Sequence, residues 1–270
     1  MSPPVSLSIN SLRAWATYEA ALDGAAPFVE FLWDNYCTIE PSRFAELAAS
    51  VSGAVSLHVM RSGFLLRDAA SLAELLRRLR RFVDAARPVR VSDHLLAAVA
   101  PDGLHLREPL EYDYGALDRA RARVDAVQQR LGMPLLVENF ASADDAGAAQ
   151  PDFVAALMAR TGCGLLFDVS NAVVAERNGG APADAWLPLL AGRPVDCHIG
   201  GFSRSRGGRL IDSHGADLAD ESLALLRRVA ACARVTSVCL EREYNVSEAG
   251  LRAELARLRD AVAEARDVAA

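Results

Sequence analysis

The chain has 270 residues, 51% hydrophobic and 24% charged, a composition that excludes a disordered chain and supplies a sizeable core. With 29 basic and 35 acidic residues the net charge is −6, so no overall basic surface exists to hold phosphates, and no nucleic-acid partner is expected. The run Arg77 to Arg81 lies at helical spacing and reads as a solvated helix face.

Short apolar, β-branched-rich runs alternate with longer segments of helical period. In chain order the predicted strands are "VSLSIN" (5–10), "FVEFLWDN" (28–35), "VSLHVM" (55–60), "VRVSDHL" (89–95), "LLVENF" (135–140), "LLFDVSN" (165–171), "VDCHIGG" (195–201) and "VCLERE" (238–243). Eight helical segments separate and follow them, from "SLRAWATYEAAL" to "EAGLRAELARLRDAVAEA". Strict alternation predicts a parallel sheet covered by helices. Eight repeats in this length predict an α/β fold closed as a (β/α)8 TIM barrel, one domain over residues 1–270. The loose stretches "SADDAGAAQ" (142–150) and "SRSRGGR" (203–209) directly follow strands and read as loops over an active face.

The five cysteines, Cys37, Cys163, Cys197, Cys232 and Cys239, are widely spaced with no CxxC pair and read as reduced core thiols. The N-terminal stretch lacks the pattern of a secretory signal, and no stretch approaches about eighteen apolar residues without a charge. A cytoplasmic protein without a membrane partner is expected.

Polar residues stand at nearly every predicted strand end, where barrel enzymes gather their chemistry: Asn10, Asp34 and Asn35, His58, Asp93 and His94, Glu138 and Asn139, Asp168 and Asn171, His198, and Glu241 with Glu243. A loop after the seventh strand, "LIDSHG", adds Asp212 and His214. Of five histidines only His105 falls outside this set. Converging carboxylates repel one another unless cations or hydrogen bonds compensate. Imidazole and carboxylate together suit divalent transition metals, and so many donors imply a cluster of two or three ions. Without a thiolate ligand, iron, manganese or catalytic zinc is favoured over structural zinc. Glu138, at a central strand end, is expected to bridge two ions. In "LERE" an extended strand aims Glu241 and Glu243 at one face, with Glu241 on metal and Glu243 free as a general base. The bland reading of Glu243 is an ion pair with Arg204 or Arg206. Asp34 and Asn35 are expected to hold loop backbone, Asp93 either to support a ligand or to cap the following segment, and Trp15, Trp33 and Trp186 to pack.

The motifs "VSDHL", "LLVENF", "GCGLLFDVSNAVVAERNGGAP", "CHIGGF", "LIDSHG" and "CLERE", in this order over roughly residues 28–245, resemble the multinuclear non-haem iron-dependent oxidases that modify ribosomally made peptides. "FLWDNY", "EYDYGALDRARARV" and "LLFDVSNAVVAERNGGAP" look most like the methanobactin-biosynthesis branch. Ser213 stands where threonine is frequent, and Gly215 where that branch commonly has a charged residue. The resemblance implies a xylose-isomerase-like barrel with two or three irons. His58, His94, Glu138, Asp168, His198 and Glu241 would surround a mixed-valent Fe(II)/Fe(III) pair, and Asn139, Asn171, Asp212 and His214 would match the donors of a third position. The implied activity oxidises a cysteine of a precursor peptide with O2 as co-substrate, giving an oxazolone with a neighbouring thioamide in the methanobactin branch. A small partner protein that binds the leader peptide is also implied, making a heterodimer. The competing readings are a zinc- or manganese-dependent isomerase or phosphodiesterase on the same barrel, and a peptide-docking subunit without catalysis.

Overall fold

The computed structural model describes residues 3–22, 26–51, 53–99, 106–109, 112, 114–142 and 149–269. His105, Glu111, Asp113 and most of the stretch 142–150 lie outside them. In chain order the strands are β1 (Val5–Ile9), β2 (Val29–Leu32), β3 (Val55–Val59), β4 (Arg90–His94), β5 (Leu96–Val99), β6 (Leu106–Pro109), β7 (Leu135–Glu138), β8 (Gly164–Asp168), β9 (Pro194–Gly200), β10 (Phe202–Arg204), β11 (Leu210–Asp212) and β12 (Arg234–Glu241). Eight of them close into a barrel in the order β1-β12-β9-β8-β7-β4-β3-β2, every neighbour parallel. These are the eight predicted strands. The other four pair as two antiparallel hairpins, β5–β6 after the fourth barrel strand and β10–β11 after the seventh. The stretch 203–209, expected to be a loop, supplies the end of β10 and the turn of the second hairpin.

The helices are α1 (Trp15–Leu22), α2 (Trp33–Tyr36), α3 (Pro41–Ala49), α4 (Ala69–Ala86), α5 (Tyr114–Leu131), α6 (Gln150–Thr161), α7 (Val169–Arg177), α8 (Leu187–Leu190), α9 (Asp220–Cys232) and α10 (Glu248–Ala269). Each barrel strand ends one or more residues before its predicted bound, and two of them give way to helix within the predicted span. Trp33 to Tyr36 turn helical straight after β2, because Phe31, Tyr36 and Phe44 stack edge to edge and pull the chain onto the outer core. Asp168 ends β8 and caps α7 by accepting from the Asn171 N–H at 2.6 Å. Arg77, Arg80 and Arg81 pair with Glu74, Asp84 and Glu40 at the surface while Leu72, Leu76, Leu79 and Phe82 of α4 are buried, the expected solvated face. Trp33 packs against Phe82 and Trp186 against Phe167, as expected.

Alternation along each strand divides the residues between two environments. Leu7, Phe31, Leu57, Val91, Val137, Phe167, Ile199 and Leu240 belong to the continuous core under the helices. The opposite face looks into the barrel, as contacts between non-neighbouring strands prove: Glu30 on β2 meets His198 on β9, and Arg90 on β4 meets Asp196 on β9. Barrel interiors are ordinarily filled by Val, Ile and Leu. Here Leu136 and Leu166 share the inward parity, but much of the interior is polar, with Ser56, Ser92, Ser237, Glu30 and the Arg90–Asp196 pair below the strand-end residues. Among the described residues no helix is long and apolar enough to cross a membrane.

Candidate metal centre

Six of the eight barrel strands deliver one buried donor each to the barrel mouth. His58 on β3, His94 on β4, Glu138 on β7, Asp168 on β8, His198 on β9 and Glu241 on β12 are each at most 7% exposed. Glu138 occupies the middle. Its Oε2 lies 3.3 Å from His58 Nε2 and 3.1 Å from His94 Nε2, while Oε1 faces His198 Nδ1 at 3.9 Å. The three imidazoles stand edge to face, with His58 ring centroids 4.8 Å from His94 and 5.1 Å from His198. Glu241 Oε2 reaches His198 Nδ1 at 3.2 Å and His214 Nε2 at 3.4 Å. His214 Nε2 is also 2.7 Å from Asp212 Oδ2.

Grouped by mutual reach, the described donors form five sets, three of which overlap in a row: His58, His94 and Glu138; Glu138, Asp168, His198 and Glu241; and Asp168, Asp212 and His214; the other two are His58, His198 and Glu241, and Glu30, His198 and Cys239. Within each set the donor atoms lie within 4.8 Å of one another. Glu138 belongs to the first and second sets, and Asp168 to the second and third. Such shared carboxylates, each with two oxygens, suit a row of adjacent cations. Several donor atoms are buried without a hydrogen-bond partner: His94 Nδ1, Glu138 Oε2, Asp168 Oδ2, Asp212 Oδ1 and both nitrogens of His198. The His198 approaches to Glu30 and Glu241 are short but too far off line to count as hydrogen bonds. Buried polar atoms are ordinarily satisfied, so this concentration points to a missing partner that takes electron pairs.

Charge tells the same story. Burial and the carboxylates of Asp212, Glu138 and Glu241 drive Asp168 well above the usual carboxylate range, and burial raises Asp212 against the pull of His214. Burial alone would lower His198, His214 and His94. The surrounding carboxylates outweigh it, lifting His94 to about 9 and the other two well above the imidazole range. Glu138 and Glu241 are held low because His94, His58, His198 and His214 outweigh burial. His58 is lowered by burial, with Glu138 only partly offsetting it. Protons on histidine and Asp168 are one way to balance this cluster, and cations on the same atoms are the other. Four histidines with four carboxylates, and no cysteine in the three sets of the row, suit iron, manganese or catalytic zinc; Cys239 lies beside Glu30 and His198.

Asn139, expected among the metal donors, is turned elsewhere: its amide oxygen accepts from the Asp168 N–H at 2.7 Å and its amide nitrogen donates to the Asp168 carbonyl at 2.8 Å. It stitches β7 to β8 and fixes the start of α7, because it follows Glu138 and so faces the neighbouring strand rather than the cavity. Asn171 spends its amide nitrogen on the Asn139 carbonyl at 3.1 Å and on Glu138 Oε1 at 3.4 Å, leaving its oxygen at the cavity it lines. Asp34 accepts from the Met60 and Arg61 N–H groups, and Asn35 donates to the Asn10 carbonyl, both holding loop backbone. Asp93 accepts from the His94 N–H at 2.8 Å, on the outer side of the strand. Glu243 lies two residues beyond the end of β12 rather than in an extended strand, so the expected alternation does not place it. Its Oε1 faces His214 Nδ1 at 3.5 Å instead of Arg204 or Arg206, and the residue lines the cavity.

Sequence reasoning passed over Glu30. Fully buried in the barrel, it lies 2.7 Å from His198 Nε2 and accepts from Ser56 Oγ at 2.8 Å. Burial would raise its carboxyl, but His198, His58 and Arg90 hold it down at about 2. The available signal was "FVEFLW", a charge flanked on both sides by residues of a buried strand.

The loop bearing Asp212 and His214 needs two glycines. His214 adopts φ 49°, a region unfavourable to L-residues and frequent at functional sites. A Cβ on Gly200 would stand 2.7 Å from the His214 ring, and one on Gly201 would overlap the Ala216 carbonyl. Ser170 fixes Gly200 by donating to its carbonyl at 2.6 Å and accepting from its N–H at 3.0 Å. Gly201→Ala is therefore expected to push the 213–216 loop outward and destabilise the fold by about 1–3 kcal/mol, read from the denaturant midpoint. Above the donors opens a cavity of 630 Å³, rimmed by Phe140, Arg209, Leu210, Ile211 and Tyr244.

A family model described as "RiPP precursor modification enzyme MbnB/TglH/ChrH" matches residues 11–263. The chain belongs to this family. It is 33% identical over 262 residues to a UPF0276 protein of Rhizorhabdus wittichii, covering 93% of this chain and 91% of the relative. A UPF0276 protein of Bordetella pertussis is 35% identical over 258 residues, covering 90% and 88%. Among solved structures the fold resembles a xylose isomerase-like TIM barrel protein from Mycobacterium smegmatis in complex with magnesium (TM-score 0.63, 16% identity, 97% of each chain). It also resembles an L-ribulose 3-epimerase (TM-score 0.61, 16% identity, 98% and 97%). These two likenesses confirm the xylose-isomerase-like barrel. Membership of the MbnB/TglH/ChrH family makes a ribosomally synthesised precursor peptide the class of substrate.

Proposed function

We propose that the chain is a multinuclear non-haem iron oxidase that uses O2 to oxidise cysteine residues of its precursor peptide, with an oxazolone/thioamide-type product as in methanobactin biosynthesis. The observation that carries this reading is the row of three donor sets joined by Glu138 and Asp168 beneath an open cavity. Its nitrogen and oxygen donors fit two or three irons, held by His58, His94, Glu138, Asp168, His198, Asp212, His214 and Glu241, with Asn171 at the third position. Bound iron supplies a Lewis acid for the peptide thiolate and the redox steps toward oxygen.

The remaining work falls to the chain. Glu138, with Oε2 beside His58 and His94 and Oε1 toward His198, would serve two adjacent positions. The rim of Phe140, Leu210, Ile211 and Tyr244 gives apolar contact to an extended peptide and keeps water from the reacting cysteine. Glu243 is the general base: it stands at the cavity wall, outside the three donor sets, and takes one proton from the backbone amide as the ring closes, passing it to solvent through the open cavity. Asn139 acts on the site through Asp168. A small partner protein that binds the leader peptide completes the proposal.

His214 belongs only to the third set. His214→Ala is expected to deplete one metal while the other two stay, as read by metal analysis per chain. Uniform loss would show that the loop is integral to the whole cluster. The reading itself is tested by loading the protein anaerobically with Fe(II), adding a cysteine-containing precursor peptide with its partner, and admitting air. Loss of hydrogen mass at cysteine, dependent on iron and absent with zinc, is expected. An unmodified peptide under these conditions would defeat the proposal.

A further inference from the structure

Below the donor row, a second line of polar residues runs down the barrel axis, and it is tied end to end. Asp196 accepts from Arg90 Nη1 at 2.7 Å and from Thr236 Oγ1 at 2.8 Å, with Ser237 donating to the same oxygen. Arg90 Nε donates to Ser56 Oγ at 3.1 Å, Ser56 donates to Glu30 Oε2 at 2.8 Å, and Glu30 Oε1 faces His198 Nε2 at 2.7 Å. Glu30, Ser56 and His198 are wholly excluded from solvent. An ionised carboxylate in the middle of a barrel is costly unless paired, and apolar residues would fill the same volume at less cost. The line therefore calls for a purpose beyond packing.

Its geometry divides His198 into two ends. Nδ1 faces Glu241 and Glu138 on the donor side, and Nε2 faces Glu30 on the axial side. His58 is arranged alike, with Nε2 toward Glu138 and Nδ1 2.9 Å from Ser92 Oγ. One histidine thus has a neutral hydroxyl behind it and the other a carboxylate. We infer that Glu30 is a positioning residue for His198, fixing the tautomer with its proton on Nε2 and the lone pair of Nδ1 toward the metal row, and making this imidazole a stronger donor than His58. The inference rests on the proposed metal row but not on iron or on the oxidase reaction. The Nε2–Oε1 approach is short but off line, and an ion held at Nδ1 would favour the ring orientation that lines it up. Carboxylate behind a ligating histidine raises its basicity and is worth about 10–100-fold in metal affinity. Electron donation from such a histidine favours the higher oxidation state, so the two ions of a pair would differ in potential by construction.

Cobalt(II) titration of the full chain, followed by its visible spectrum, tests this without relying on iron chemistry. Glu30→Gln keeps an acceptor for Nε2–H while removing the charge; Glu30→Ala removes both. The inference expects Glu30→Ala to weaken one cobalt position about 10–100-fold and leave the others at wild-type affinity, with Glu30→Gln restoring most of the loss. In the iron-loaded protein, Glu30→Gln should raise the midpoint potential at unchanged iron content. Wild-type affinity and spectrum in both variants would overturn it, as would equal weakening at every position. So would a cobalt–thiolate absorption band in the wild type, which would make Glu30, His198 and Cys239 a ligand set of their own. Failure to bind cobalt would overturn the inference outright, whereas cobalt binding without peptide oxidation would remove the oxidase reading and leave Glu30 in place.

Discussion

Glu138→Gln is expected to lose both ions of the proposed pair and with them all measurable peptide oxidation. The substitution keeps volume and one carbonyl oxygen but removes the charge and one of the two acceptor oxygens, the one facing His58 and His94 or the one facing His198. The remaining carboxylates cannot replace it beside His58 and His94, a set in which Glu138 is the sole carboxylate. Changing a residue behind a ligand costs about 10–100-fold in metal affinity, so removal of a shared ligand is expected to exceed about 100-fold. Inductively coupled plasma analysis after gel filtration reads the loss. The fold is expected to survive, since Glu138 is drawn to histidines that can themselves deprotonate. A variant with full metal content and activity would refute the bridging role.

The second large effect concerns Glu243→Gln. Metal content and peptide affinity are expected to stay near normal, because the residue lies outside the three donor sets and its backbone N–H still donates to the His214 carbonyl at 2.9 Å. Product formation is expected to fall on the order of 10²–10⁴, the usual contribution of a positioned base. The side chain also faces His214 Nδ1 at 3.5 Å, and this contact gives the opposing explanation: loss through a displaced His214 would appear as depletion of the third metal. Reduced turnover with a full metal complement therefore identifies the base, and equal turnover by variant and parent removes it.

The barrel was legible because its signals are local. Each strand is a short apolar run, each end carries a polar residue that a buried strand has no ordinary reason to hold, and histidine is rare enough for four at one rim to stand out. What stayed hidden depends on contacts across the barrel or on backbone turns. Glu30 sits two residues inside its strand, and nothing nearby in sequence points to His198, its partner from the opposite wall. Asn139 entered the donor set through the family resemblance, and the alternation that sends Glu138 inward sends Asn139 to the next strand. Parity likewise fails for Glu243, which follows the end of β12, where loop geometry and the left-handed turn at His214 set its direction. Cys239 was grouped with the core thiols, but it shares the inward parity of Glu241 and its sulfur lies 3.8 Å from Glu30 Oε1. The start of the helix at 169–177 was read as strand because Val169 continues the apolar run of β8; the Asp168 cap that starts the helix is also a member of the donor row.

The account stands most directly on which metal the protein carries. Metal analysis of the wild-type chain purified without oxygen is expected to find iron at two or three ions per chain, with a mixed-valent pair visible by Mössbauer or electron paramagnetic resonance spectroscopy after partial oxidation. Zinc or manganese alone, with no gain of peptide oxidation on iron loading, would contradict it and turn the same donors to isomerase or hydrolase chemistry; a chain that takes up no metal at all would leave a docking subunit.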